Sequence, residues 1–85
     1  MKTYILKNTI KDLEGKQDDM TFFLGKDGYV HEDIAFADGY ERKGNALRRL
    51  QHELTCFGCK KVNDYQTIES NRWLHTFEIV EYEAK

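Results

Sequence analysis

The chain has 85 residues, of which 40% are hydrophobic and 33% are charged, and its net charge is −2 at pH 7. A chain of this length buries one core and only about 60–65% of its unfolded surface, so we expect a single domain over residues 1–85. The composition excludes the disordered class. The apolar runs are too short for a membrane helix, and the start is too polar for a secretory signal. We therefore expect a cytoplasmic protein without a membrane partner, and the proline-free composition suits a bacterial or phage reading frame.

The first half of the chain predicts three β-strands. Residues 3–7 alternate in the manner of a short strand, and residues 8–19 are expected to form a polar connection. Residues 20–24 alternate again and are followed by Gly-Lys-Asp-Gly at 25–28, which is typical of a tight hairpin turn. The returning strand is expected to continue from residue 29 to residue 36. Its side chains are expected to divide between two faces, with Val30, Ile34 and Phe36 on one and Tyr29, His31 and Asp33 on the other.

One long helix is predicted from about Lys43. The apolar residues recur at helical spacing and form one stripe, made of Ala46, Leu47, Leu50, Leu54 and Phe57. Asp38 and Glu41 have the spacing of a capping box, although Gly44-Asn45 permits a later start, and Gly58 suits the C-terminal end.

Two strands are predicted after the helix. Residues 61–69 give a weakly patterned strand, Asn71-Arg72 turns the chain, and residues 73–82 alternate over a long strand. The order β-β-β-α-β-β predicts an α+β fold, in which a small antiparallel sheet of four to five strands carries one helix on one face.

One helix covers only one face of such a sheet. Apolar side chains are nevertheless expected on the other face, namely Phe23, Tyr29, Val80 and Tyr82. An uncovered apolar sheet face is a candidate interface, so these four residues are candidates for binding a protein partner or for forming a homodimer.

The middle of the chain is basic. Residues 40–61 carry six Lys or Arg and two Glu, whereas the segments before and after it each have a net charge of −3. A basic helix could bind phosphates, and the candidate residues are Arg42, Arg48, Arg49, Lys60 and Lys61. A solvated helix face explains the same pattern, because the whole domain is acidic and carries no recognised nucleic-acid motif.

The two cysteines are spaced as Cys56-Phe57-Gly58-Cys59, and His52 precedes them by one helical turn. A Cys-x-x-Cys pair forms half of a tetrahedral zinc site, so His52, Cys56 and Cys59 are candidate ligands, with His75, His31 or water as the fourth. Redox chemistry is disfavoured, because the dipole at a helix C-terminus opposes a thiolate. The alternative is a glycine turn with two structural cysteines and no cofactor.

No trio of nucleophile, base and orienting group is placed together by the sequence. His75 is expected to be a hydrogen-bonded structural residue rather than a catalytic base. The leading hypothesis is therefore a small, non-catalytic, cytoplasmic protein-interaction module that uses its uncovered sheet face or its basic helix to bind a partner, which is either another macromolecule or a second copy of the chain. Nucleic-acid binding through the basic helix is the first alternative, and a zinc-stabilised domain is the second.

Overall fold

The computed structural model describes residues 2–55, 58 and 63–83. Its five strands are β1 (Lys2–Asp12), β2 (Met20–Leu24), β3 (Val30–His31), β4 (Tyr65–Ser70) and β5 (Trp73–Glu83). One helix, α1 (Lys43–Thr55), lies between β3 and β4, and a short 3-10 helix spans Ile34–Phe36. This is the predicted α+β fold with the predicted element order.

All five strands form one antiparallel sheet in the order β3-β2-β1-β5-β4. The two longest strands, β1 and β5, lie side by side in the centre and pair over their whole length, from Lys2 opposite Glu83 to Asp12 opposite Trp73. Strand β2 pairs with the second half of β1, and β4 pairs only with β5. The sheet therefore has β3 at one edge and β4 at the other.

The hydrophobic core lies between the sheet and α1, on the side that we call the helix face. The buried helix residues Ala46, Leu50 and Leu54 pack with Leu6 of β1. Around them lie partly buried apolar side chains from the neighbouring elements, namely Tyr4, Leu24, Tyr40, Ile68, Phe77 and Ile79. The stripe predicted on the helix is confirmed at Ala46, Leu50 and Leu54, because these residues meet the face of β1 that carries Leu6.

The opposite side of the sheet, which we call the far face, is partly covered. Ile5 points to this side, away from Leu6, yet it is only 1% exposed. Residues 34–39 lie over this part of the sheet: Ile34 and Ala37 line one hollow together with Ile5 and Tyr82. The chain then returns to the sheet, where the backbones of Tyr40 and Tyr4 exchange hydrogen bonds of 2.7 and 2.9 Å. The expectation of a wholly uncovered face therefore needs correction.

Three strands differ in length from their predictions, and one of them is β4, which spans Tyr65–Ser70 where residues 61–69 were expected. Strand β1 extends to Asp12, because β5 offers a continuous partner for residues 8–12, which are polar except for Ile10. Strand β3 ends at His31, and the residues expected to continue it turn into the 3-10 helix, where the Asp33 carboxylate accepts a hydrogen bond of 2.9 Å from the Ala35 N–H. An Asp side chain at this position favours a helical turn over a strand.

The helix and the last turn agree more closely with prediction. Helix α1 begins at Lys43, where the helical spacing predicts it and not at the Asp38 capping box, and ends at Thr55. Gly58 adopts φ +81°, the left-handed conformation expected of a glycine after a helix end. Asn71 turns the chain between β4 and β5 with φ 55°. Within the described residues, no helix is long and apolar enough to cross a membrane.

Candidate functional site

The outer edge of β4 is the first candidate site. Its residues pair with β5 on one side only, and no strand of the described chain pairs with the other side. The Ile79 N–H donates to the Asp64 carbonyl at 2.9 Å, so these two residues form a hydrogen-bonded pair at the start of the ladder. Bonded and non-bonded pairs alternate along an antiparallel ladder, so the backbone groups of Tyr65, Thr67 and Glu69 point away from β5.

The side chains along this edge leave it accessible. Tyr65 is 60% exposed, and Thr67 and Glu69 are also exposed. Natural proteins protect edge strands with proline, lysine or a bulge. Strand β4, with the sequence Tyr-Gln-Thr-Ile-Glu-Ser, contains neither of these residues and keeps a regular register with β5. The edge is therefore a template for another strand.

The four residues predicted as a partner-binding face are not all in one place. Phe23, Val80 and Tyr82 lie on the far face and are half-buried, as their register with Lys7, Ile5 and Thr3 requires. Tyr29 lies outside the strands, in the turn before β3, where it is 72% exposed. Binding by this set stays a prediction.

The middle of the far face is polar. Four threonines lie in register across four strands: Thr21 is opposite Thr9, Thr9 is opposite Thr76, and Thr76 is opposite Thr67. In the next row, Lys7 and Glu78 form an ion pair at 3.6 Å. The apolar surplus expected on this face therefore lies mainly in the half that carries Ile5, Phe23, Val80 and Tyr82, and Leu74, opposite Lys11, lies on the other side of the threonine row.

The predicted basic surface is interrupted by acidic groups. Arg42 and Arg48 are exposed, but the Arg49 Nε donates to Glu53 at 2.9 Å. Partial burial is the largest single effect and lowers the pKa of Arg49, but the hydrogen bond to Glu53 and the nearby charges of Glu53, Tyr40 and Asp38 together outweigh it, so the pKa lies above its ordinary value. Lys60 and Lys61 lie outside the described residues. Nucleic-acid binding stays a prediction, whose test is the loss of affinity between 50 and 200 mM salt that phosphate contacts require.

The predicted metal site cannot be assembled from the described part of the chain. His52 is exposed near the end of α1, and Cys56 and Cys59 lie outside the described residues. No group of three His, Cys, Asp or Glu side chains among the residues described could hold a metal ion. Of the other proposed ligands, His31 bonds to Asp27 and His75 lies in the central strand β5. Zinc binding stays a prediction.

His31 and Asp27 form a pair across the β2–β3 turn. The His31 Nε2 lies 3.0 and 3.1 Å from the two carboxylate oxygens of Asp27, and the His31 ring lies 5.3 Å from that of Phe36. The hydrogen bond to His31, followed by one from the Tyr29 N–H, lowers the pKa of Asp27 below its ordinary value. Both groups stabilise the turn.

A hollow on the helix face is the second candidate site. It has a volume of about 250 Å³ and opens between the second half of α1 and strands β1, β2 and β5. Most of its lining is apolar, but Asn8 and His75 also line it. The Asn8 Oδ1 and the His75 Nδ1 are buried and have no hydrogen-bond partner among the described residues. The expectation that His75 is satisfied is therefore wrong at Nδ1.

Sequence reasoning missed this second site. Asn8 falls within the predicted polar connection, and only its pairing with Phe77 of β5 places it in β1. A polar residue between apolar neighbours on one face of a strand, as Asn8 is between Leu6 and Ile10, is the signal that could have found it.

The chain matches no family model, no curated protein and no solved structure.

Proposed function

We propose that this protein is a non-catalytic protein-interaction module that forms a homodimer by pairing the outer edge of β4 with the same edge of a second copy. The observation that supports the proposal is the alternation along β4, in which Tyr65, Thr67 and Glu69 direct their backbone groups outward. Strand addition of this kind is a common mode of protein recognition. The cytoplasmic location expected from the sequence belongs to the same proposal.

The edge is self-complementary. In an antiparallel pair of two identical strands, a twofold axis through Thr67 places Thr67 opposite its own copy and Tyr65 opposite Glu69. These residues all present outward backbone groups, so the arrangement forms about six hydrogen bonds. It brings no like charges together and keeps both helices on the same side of a ten-stranded sheet.

The expected affinity is modest. Each backbone bond contributes about 0.5–1.5 kcal/mol net, and association costs at least about 4 kcal/mol in lost freedom of motion. Six such bonds less this cost give at most about 5 kcal/mol, so we expect a dissociation constant of about 0.2 mM or weaker for the edge alone. Burial of the exposed Tyr65 ring strengthens the association.

The test is sedimentation equilibrium between 10 µM and 1 mM for the wild type, Thr67→Pro and Thr67→Val. Proline removes an N–H that points away from β5, and it is tolerated on edge strands, so the monomer should fold. Valine keeps the N–H and the β-branched shape. We expect wild type and Thr67→Val to dimerise and Thr67→Pro to remain monomeric, with circular dichroism confirming that all three are folded.

Two results would contradict the proposal. The first is a wild-type protein that is still monomeric at 1 mM, because the proposed dimer would then not form. A Thr67→Pro variant that dimerises as well as the wild type would move the interface away from β4, to the far-face residues Phe23, Val80 and Tyr82. If Thr67→Pro does not fold, Thr67→Lys replaces it, because a lysine on the edge opposes pairing by charge repulsion between the copies.

A further inference from the structure

The hollow on the helix face combines an apolar lining with two polar atoms that have no partner in the described part of the chain. The apolar part of the lining is formed by Leu6, Leu24, Val30, Leu50, Leu54 and Phe77. A dry apolar cavity of about 150 Å³ is large enough for benzene, so a hollow of about 250 Å³ has room for a two-ring aromatic molecule. Size and lining together indicate an aromatic or similarly compact apolar ligand.

Asn8 and His75 supply the polar groups that line one end of the hollow. Asn8 is opposite Phe77 and His75 is opposite Ile10 in the β1–β5 register, so Asn8 and His75 are diagonal neighbours on the helix face. The His75 ring stacks on Phe77 with 6.1 Å between the ring centroids. A buried polar atom without a hydrogen-bond partner lowers the stability of the fold. A ligand that supplied the missing hydrogen bond would therefore bind more tightly.

The charged groups at the hollow are already engaged. Glu53 accepts from Arg49 at 2.9 Å, and Lys7 forms its ion pair with Glu78. A charged ligand would therefore lose its hydration without gaining an unengaged counter-charge at these residues. The chemistry of the lining favours an uncharged molecule.

We propose that this hollow binds a small, uncharged aromatic molecule with one N–H or O–H donor, of the indole or phenol class, whose donor bonds to the Asn8 Oδ1. The amide oxygen is an acceptor in every protonation state, whereas the role of the His75 Nδ1 depends on the tautomer. Because the Asn8 Oδ1 is buried, it meets the ligand by a rotation about the Cβ–Cγ bond, a torsion with a broad energy minimum. This site is separate from the β4 edge and does not depend on dimerisation.

The test compares indole with indene, which has the same shape but no N–H. Both are titrated into the isotope-labelled full chain and followed by amide chemical shifts. We expect saturable shifts at Val30, Leu54 and Phe77, and indole should bind about fivefold more tightly than indene, the effect of one net hydrogen bond.

Two variants assign the preference to Asn8. In Asn8→Leu the acceptor is replaced by an apolar group, so indole and indene should bind equally, and the melting temperature should rise because an unpaired buried group has been removed. Thr9→Val is the matched control, since Thr9 is the next residue of β1 and lies on the far face. This variant should retain the fivefold preference.

Several outcomes would overturn the proposal. These are the absence of saturable shifts up to the solubility limit of indole, equal affinity of the wild type for indole and indene, and a preference that survives in Asn8→Leu. Shifts centred on the threonines of the far face would also overturn it. The wild-type comparison needs no variant, so it decides the matter even if Asn8→Leu does not fold.

Discussion

Asp12 is a buried carboxylate that organises the loop between β1 and β2. It is 3% exposed, and its two oxygens accept hydrogen bonds of 3.0 to 3.1 Å from the N–H groups of Glu14, Lys16 and Gln17. The Arg72 Nε lies 3.5 Å from the same carboxylate, and its guanidinium lies over the Trp73 ring. One side chain thus fixes the loop and joins it to the β4–β5 turn.

Removal of this carboxylate should be costly. We expect Asp12→Ala to lower the free energy of unfolding by about 2–4 kcal/mol, because it leaves several donors without their acceptor. Urea denaturation measures the loss. Asp18→Ala in the same loop is the control, since Asp18 is exposed and should change stability by less than about 0.5 kcal/mol. Equal losses in the two variants would mean that Asp12 does not organise the loop.

The pair of Asp27 and His31 predicts a pH dependence. Its hydrogen bonds hold the pKa of Asp27 below the ordinary value of 3.8, so the folded state favours the ionised carboxylate. The stabilisation is therefore fully present above pH 3.8 and is lost as the pH falls through the lower, folded pKa. Melting temperatures of wild type and Asp27→Asn should differ most at neutral pH and converge in acid. A difference that grows below pH 3.8 would contradict this assignment.

At the scale of the elements, α1 and β5 could be predicted from the sequence, but the length of β1 could not. The helical stripe and the long alternation of residues 73–82 are local patterns. Residues 8–12 have no such pattern, and they are a strand because β5, more than 60 residues away in the chain, pairs with them. The proximity of Asn8 and His75 could not be predicted for the same reason, since only the β1–β5 register brings these two residues together.

The packing of α1 gives a prediction within one helix. Leu54 is fully buried against the sheet, whereas Leu47 is only half-buried. We expect Leu54→Ala to cost about 2–5 kcal/mol and Leu47→Ala about 1 kcal/mol, because the cost follows the buried volume that is removed. Thermal or urea unfolding of both variants checks the order. The reverse order would place Leu47, not Leu54, at the core.

At the scale of the whole molecule, the sheet has one face covered by a helix and one edge strand, β4, whose outer side pairs with no other described strand. Helix α1 covers the helix face, and residues 34–39 cover part of the far face. The β3 edge is two residues long, which limits pairing there, whereas β4 offers six. A second copy paired at Thr67 would continue the row of Thr21, Thr9, Thr76 and Thr67 across both sheets.

This arrangement predicts an alternating pattern of amide exchange along β4. The N–H groups of Gln66 and Ile68 are bonded to β5 within one copy, so their hydrogen exchange should not depend on protein concentration. Those of Tyr65, Thr67 and Glu69 gain partners only in the dimer, so their exchange should slow between 50 µM and 1 mM. Uniform slowing would indicate general stabilisation instead, and slowing confined to Phe23, Val80 and Tyr82 would assign the contact to the far face.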